Sequence, residues 1–364
     1  MSDIMNKSGV DLIRELSLAF GPSGFEDAVR DMILPRAKKV ADRVSVDKMG
    51  DIIALMSFGD VEAEGRKKIM ISAHMDEVGF MIADIRDDGM LSFGCVGGID
   101  PSVLAGRKVT VGNENGFMNG VICSKAIHHK SPEERETPIK ARKMYIDVGA
   151  EKKEDIEDKI SIGDFGTFDS EFYAFGKGGR TLKSKALDDR MGCAAMLEIM
   201  DSLKADAPKQ NVDVYFCFTV REEIGYSGAG CVASKLHPDY AIVLETTAIG
   251  DLPEAEPCRR VADVGKGGVI SIADRSTIYD RNVVDTAFDI AKQNGIAAQL
   301  KRYVSGGNDA GHIHKSDAGV KALAISVPTR YLHSPACVAT LDDYESVRDL
   351  VEAIIKNADR LNKN

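Results

Sequence analysis

Apolar positions recur along this chain in two periods. Over residues 8–20 they fall at Val10, Ile13, Leu16 and Phe20, one face of an amphipathic helix with Ser8 near its N-cap. Gly21-Pro22-Ser23-Gly24 breaks that helix, and a helical pattern resumes from Phe25 to Val40. Ser45-Val46-Asp47 and Ile52-Ile53-Ala54-Leu55 flank the Lys48-Met49-Gly50-Asp51 turn, which predicts a hairpin. Four later runs are mostly apolar without alternation: Ile69 to Asp76, Val212 to Val220, Tyr240 to Glu245 and Ala322 to Pro328. Such runs predict strands buried on both faces of a parallel sheet. Helical spacing returns over residues 191–203, 229–236, 283–294 and 342–361.

Between Glu77 and Thr167 the texture changes. Short β-like pieces such as Gly79 to Ile82, Lys108 to Val111 and Gly120 to Ile122 alternate with turn signals such as Asp87-Asp88-Gly89, Gly97-Gly98 and Asn113-Glu114-Asn115-Gly116. That spacing predicts a small barrel or sandwich inserted into an α/β domain. The expected organisation is a first catalytic segment over 1–76, an inserted β-rich domain over 77–167 and a second catalytic segment over 168–364. The expected fold is α/β: a mixed, mostly parallel sheet sandwiched by helices, with the small barrel inserted.

Composition narrows the function. A net charge of −10 with no Lys/Arg-rich run argues against nucleic acid and anionic membranes as partners. No stretch approaches about 18 consecutive apolar residues, so no membrane span is expected. The start, Met1-Ser2-Asp3-Ile4-Met5-Asn6-Lys7, lacks the basic-then-apolar pattern of a signal peptide. The seven cysteines are scattered, with no Cys-x-x-Cys spacing, and are expected to be reduced, buried thiols of a cytoplasmic protein.

The candidate chemistry gathers where the buried strands end. His74 and Asp76 close the first, two residues apart on one strand face, Glu222 and Glu223 follow the second, Glu245 ends the third, and His333 follows the fourth. Asp188 precedes a helix in Lys185-Ala186-Leu187-Asp188-Asp189-Arg190. Each has a plain alternative: a structural histidine, a helix N-cap for Asp188, a buried ion pair for Glu245. Yet ligands bind at the carboxyl ends of strands in open α/β sheets, and these strands would share one edge. Two imidazoles with several carboxylates suit zinc, cobalt or manganese. One histidine, one terminal acid and a shared carboxylate per ion would build two adjacent sites. His128, His129 and His237 read as surface residues, while His312 and His314 in a Gly-rich loop stay open.

The chain resembles the M42 family of metalloaminopeptidases, which includes glutamyl, leucyl and deblocking enzymes. The resemblance lies in Gly21-Pro22-Ser23-Gly24, Ala73-His74-Met75-Asp76-Glu77-Val78-Gly79-Phe80, Ala186-Leu187-Asp188-Asp189-Arg190, Glu222-Glu223-Ile224-Gly225, Gly306-Gly307-Asn308-Asp309-Ala310-Gly311 and Val327-Pro328-Thr329-Arg330-Tyr331-Leu332-His333-Ser334-Pro335. It implies two divalent ions bridged by Asp188, one completed by His74 and Glu245, the other by Glu223 and His333. It also implies Glu222 as general base, Asp76 as the acid that orients the ligands, and a dimerisation role for the inserted domain. Homo-oligomers up to a twelve-subunit tetrahedron are common in the family. Three positions depart from its pattern: Glu245 where Asp is usual, Tyr226-Ser227 where Leu-Arg is common, and Asn308 where Thr is frequent.

The expected reaction is removal of the N-terminal residue of a peptide by water shared between two ions, with Glu222 moving its proton. Glu222 and Glu223 should point apart if they lie in extended chain, freeing one for base chemistry and one for metal. A glycoside hydrolase is disfavoured, because its two acids must face each other about 5–9.5 Å apart and the chain has no Trp. A metal-dependent deacylase acting on small N-acyl compounds would use the same residues. A non-catalytic assembly protein would not need them.

Overall fold

A computed structural model describes residues 7–362 apart from 254, 257 and 258. Residues 1–6, most of the start read above as lacking a signal-peptide pattern, and Cys258 lie outside the described residues. The chain opens with helices α1 (Gly9–Leu18) and α2 (Asp27–Val40), hairpin strands β1 (Arg43–Val46) and β2 (Ile52–Phe58), and strand β3 (Lys67–His74). It then leaves the α/β layer for β4 (Gly79–Ile85), β5 (Leu91–Val96), β6 (Lys108–Asn113), β7 (Gly116–Cys123), short helix α3 (Pro132–Glu136), β8 (Tyr145–Asp147) and β9 (Phe165–Phe168). These six strands close into a barrel in the order β4-β5-β8-β7-β6-β9. Its interior is a separate apolar core that includes Phe80, Ile82, Val109, Val111, Ile146 and Phe168.

The return passes through β10 (Tyr173–Phe175), β11 (Thr181–Ser184), α4 (Leu187–Ala205), β12 (Val212–Thr219), α5 (Ser227–Leu236) and β13 (Tyr240–Ala248). It continues with β14 (Gly268–Ile270), α6 (Arg281–Asn294), β15 (Ala298–Leu300), α7 (Ala310–Ile313), β16 (Lys321–Thr329), β17 (Cys337–Thr340) and α8 (Leu341–Lys356). The main sheet has eight strands in the order β1-β2-β12-β3-β13-β16-β14-β15. Its four central strands, β12, β3, β13 and β16, are mutually parallel. Their carboxyl ends therefore share one edge, and the barrel departs from and returns to that edge.

Small side chains let α4 lie close to the sheet. Gly192, Cys193, Ala194 and Ala195 are buried within it, as are Met191, Met196, Ile199 and Met200. On the strands, Phe216 and Phe218 are fully buried, each contributing on the order of 2–3 kcal/mol of burial free energy. Caps fix the helix starts nearby. Asp280 accepts from the backbone N–H groups of Asn282 and Val283 at α6, and Thr340 accepts from that of Asp343 at α8.

The sheet is mixed as expected: β12 pairs parallel with β3 but antiparallel with β2. Several other expectations need correction. β13 does not end at Glu245 but runs to Ala248, so Glu245 is held inside the ladder, opposite Ser326. The last helix stops at Lys356, and a separate 3₁₀ segment covers Ala358–Asn362. The three-stranded sheet β10-β11-β17 was not foreseen, because its strands are three or four residues long and two of them lie far from the third in sequence. Not all thiols are buried: Cys231 is exposed on α5, and Cys95 and Cys123 are half-buried. Among the described residues no helix is long and apolar enough to cross a membrane.

Candidate metal centre

The centre is assembled at the shared sheet edge. His74 is the last residue of β3 and is almost fully buried. Its Nδ1 lies 3.1 Å from the carbonyl oxygen of Asp76 and 3.3 Å from Asp76 Oδ1. Both partners are acceptors, so Nδ1 carries a proton and Nε2 is the nitrogen left for a cation that displaces its own proton. That Nε2 lies 3.5 Å from Asp188 Oδ1 and 3.9 Å from Glu245 Oε2.

His333 follows β16 in a loop, half-buried, and repeats the arrangement. Its Nδ1–H donates to the carbonyl oxygen of Gly98 at 2.7 Å. Its Nε2 lies 3.3 Å from Asp188 Oδ2 and 3.3 Å from Glu223 Oε2. Asp188 thus faces one imidazole with each oxygen. It does not cap α4: Ala186 occupies the cap position without a side-chain bond, and Asp188 itself has non-helical backbone angles.

The expected strand does not reach Asp76: β3 ends at His74, so Asp76 sits just beyond it and ties the neighbouring segment in place. Its Oδ1 accepts from the backbone N–H of Glu222 at 3.0 Å. Its Oδ2 accepts from that of Glu223 at 3.2 Å and from the Ser23 hydroxyl at 2.5 Å. The strand β12 has already ended at Thr219, and Arg221 has a positive φ of 59°. Glu222 and Glu223 therefore lie in a turn and do not diverge as extended neighbours would. Instead, one atom each of His74, Glu222 and Glu223 lie within 4.8 Å of one another. The geometric objection to a facing pair of carboxylates fails with that expectation.

The side chains fit divalent ions. Two further triads, His74/Asp188/Glu245 and Asp188/Glu223/His333, each bring their ligand atoms within 4.8 Å of one another. Asp188 Oδ1, Glu223 Oε1 and Glu245 Oε1 are buried without a hydrogen-bond partner among the described residues. Orphaned buried carboxylate oxygens are costly unless a cation meets them.

The titration of the cluster says the same. Burial lifts Glu223 to about 8, with the charge of Asp188 adding to it. Burial also lifts Glu222 and Glu245 well above 4.5. Burial works against charge on both histidines, yet Asp188 and Asp76 hold His74 well above 6.5. Asp188 and Glu223 likewise carry His333 to about 9. Despite its burial, Asp188 is held well below 3.8 by the two imidazoles. Without a cation the cluster neutralises itself with protons, the role that divalent ions would take.

A cavity of about 670 Å³ opens over these groups. It is lined by Asp188, Glu222, Glu223, Glu245 and His333, and also by Asp100, Tyr226, Thr247, Lys301, Asn308 and Ser326. Four supporting residues were not foreseen. Gly98 acts through its carbonyl, which leaves no side-chain signal. Asp51, in the hairpin turn, accepts from Val220 N–H at 2.9 Å. Buried Asp309 accepts from the Thr219 hydroxyl at 2.8 Å, and its Gly-rich motif did mark the loop. Lys301 comes from the far side of the sheet. Of the histidines left open, His312 is exposed against the ring of Tyr226, while His314 Nδ1 lies 2.7 Å from Ala310 O.

Comparison with known proteins agrees with the site. The sequence profile of the M42 glutamyl aminopeptidase family matches residues 56–350. A putative aminopeptidase of Acetivibrio thermocellus is 37% identical over 94% of this chain and 98% of its own length. The crystal structure of a TET aminopeptidase from a marine sediment archaeon, a member of the Thaumarchaeota, superposes with a TM-score of 0.91 at 35% identity, covering 96% of this chain and 97% of that one. The TET1 peptidase of Pyrococcus horikoshii, described as assembling into a tetrahedron or a large octahedral shell, gives 0.83 at 34% identity over 95% of this chain and 98% of its own. With its profile, its fold and its cluster of histidines and carboxylates in agreement, the chain belongs to the M42 family of aminopeptidases.

Proposed function

We propose that this enzyme removes the N-terminal residue from peptides at a pair of divalent ions, zinc, cobalt or manganese. Asp188 would bridge them, His74 and Glu245 would complete one, and Glu223 and His333 the other. One observation carries the reading: Asp188 presents a separate oxygen to each of two imidazoles, each with its own second acid. When bound, such ions lower the pKa of water and polarise a carbonyl.

The chain's own groups do the rest. Glu222 takes the proton of the attacking water and returns it to the leaving amine. Burial and the neighbouring charge of Glu223 raise its pKa above 4.5, toward the range where a carboxylate can both accept and release a proton near neutrality. Asp76 fixes the Nδ1 tautomer of His74 and holds both glutamates through their backbone N–H groups. The Gly98 carbonyl does the same for the His333 tautomer.

The inserted barrel, taken as 77–167, would serve dimerisation, and the assemblies described for the TET relative support a homo-oligomer. A cytoplasmic setting is supported by the absence of disulfides among the described cysteines. Acetylation tests the exopeptidase reading. A free α-amine should be required, so an acetylated copy of a good peptide substrate should resist cleavage; equal rates on both would refute the reading.

A further inference from the structure

Glu222 sits in a loop that leaves and returns to one residue, Val220. The chain is fixed up to Thr219, which ends β12, lies opposite His74 in register and is braced by Asp309. Val220 is the next step, and Arg221 then turns the chain with a φ of 59°. Inside the loop, Gly225 N–H and Tyr226 N–H both donate to the Glu222 carbonyl oxygen at 3.1 Å. The loop closes where Gly228 N–H, in the first turn of α5, donates back to the Val220 carbonyl oxygen at 3.2 Å. Val220 is therefore the pivot on which the two glutamates are aimed.

One side chain holds the Val220 N–H. Asp51 is fully buried, and its Oδ1 accepts from that group at 2.9 Å. Asp51 is itself fixed on both sides. Asp47 Oδ1 accepts from the N–H groups of Met49, Gly50 and Asp51 at 2.8–3.1 Å, and Ile52 enters β2 opposite Phe218. Gly228 leaves room for the contact. A Cβ there would strike Asp51 Oδ1 and would meet Val220 O at 2.7 Å and Val220 N at 2.9 Å. Among the described residues, Asp51 Oδ2 is buried without a hydrogen bond and no Lys or Arg forms an ion pair with Asp51. Burial, and then the charge of the neighbouring acid Asp47, raise its carboxyl to about 8. A neutral acceptor would meet the Val220 N–H without that penalty. Departures of this kind concentrate at functional sites.

We propose that Asp51 is a positioning residue for Glu222: by holding the Val220 N–H it fixes the root of the loop and so the aim of the Glu222 carboxylate. Asp76 holds the amides of Glu222 and Glu223, and Asp51 holds the pivot beneath them. The inference rests on the reading of Glu222 as general base.

The test is a double-mutant cycle on metal-loaded enzyme, with metal content matched across variants. Asp51→Ala should lower kcat by about tenfold to a hundredfold, the effect of a small misplacement of a reacting group. KM should change little, because ground-state binding does not use the base. In the Glu222→Gln background, Asp51→Ala should cost nothing further, whereas a merely structural role would lower kcat in both backgrounds. Asp51→Asn keeps an acceptor for the Val220 N–H and should restore most of the loss. Gly228→Ala breaks the same link from the other side and should behave as Asp51→Ala does. Equal losses in both backgrounds, or wild-type kcat in folded Asp51→Ala or Gly228→Ala, overturn the role of Asp51 and leave Glu222 as base. Where neither of those folds, Asp51→Asn decides: kcat near wild type supports the role, and a folded protein with kcat as low as that of Glu222→Gln overturns it. Wild-type kcat in Glu222→Gln itself overturns the base assignment and the proposal with it.

Discussion

His333 Nδ1 lies 2.7 Å from the carbonyl oxygen of Gly98, a bond that joins the catalytic layer to the inserted barrel's β5–β6 connection. It commits Nε2 of His333 to Asp188 and Glu223. The barrel is thereby part of the site's geometry.

This relationship separates two adjacent glycines. Gly97 has a φ of +83°, and a Cβ there would meet Val78 Cγ1 at 2.8 Å and Glu223 Cβ at 3.3 Å. At Gly98 a Cβ would meet the His333 ring only at ordinary contact distance, 3.6 Å. Gly97→Ala should cost about 1–3 kcal/mol of stability through strain and weaken the ion shared by Glu223 and His333. Gly98→Ala, which keeps the carbonyl, should do neither. Thermal denaturation and metal stoichiometry of the two variants check the contrast.

The paired glutamates should separate by role. Glu222→Gln keeps the shape but cannot accept a proton, so kcat should fall by a factor on the order of 10²–10⁴ with two ions retained. Glu223→Gln should lose the ion held with His333. Metal analysis beside single-substrate kinetics distinguishes them, and the opposite pattern would exchange the two assignments.

Sequence carried most of the architecture, because burial on both faces writes itself as unbroken apolar runs. Ile69 to Ala73 and Tyr240 to Leu244 are strands for that reason, and the acids and histidines beside such runs stood out. Direction was harder to read. Arg221 turns the chain immediately before Glu222, and no local pattern announces that the two glutamates converge. Backbone contributors such as Gly98 and partners such as Asp51 are visible only once the chain folds back on itself.

Glu245 departs from the usual Asp of the family, and its longer side chain is held within β13 with Oε2 accepting from Thr246 N–H at 3.3 Å. Glu245→Ala should lose the ion shared with His74 and keep the other. Glu245→Asp should also bind more weakly, because the carboxylate is drawn back by about 1.5 Å, one C–C bond. Calorimetric metal titration of both variants decides it; undiminished binding by Glu245→Ala would remove this residue from the centre.

The protein stripped of metal should lose stability as pH rises. His333 is raised to about 9 and Glu223 to about 8 when folded, so the native state holds protons that the unfolded chain releases at lower pH. Stability from the His333 charge is complete below about 6.5 and lost as pH climbs through about 9. Glu223 works in the same direction between its ordinary value of 4.5 and about 8. Bound ions replace those protons. The gap in melting temperature between loaded and stripped protein should therefore widen from pH 6 to pH 9, as scanning calorimetry at intermediate pH values would show.

The central claim is that His74, Asp188, Glu223, Glu245 and His333 hold two ions on which peptide hydrolysis depends. The direct measurement strips the protein with chelator, verifies the metal content, and follows activity on a free-amine peptide as zinc, cobalt or manganese is returned. The account predicts no activity in the stripped protein and a rise that saturates at two ions per chain. Full activity in verified metal-free protein would contradict it.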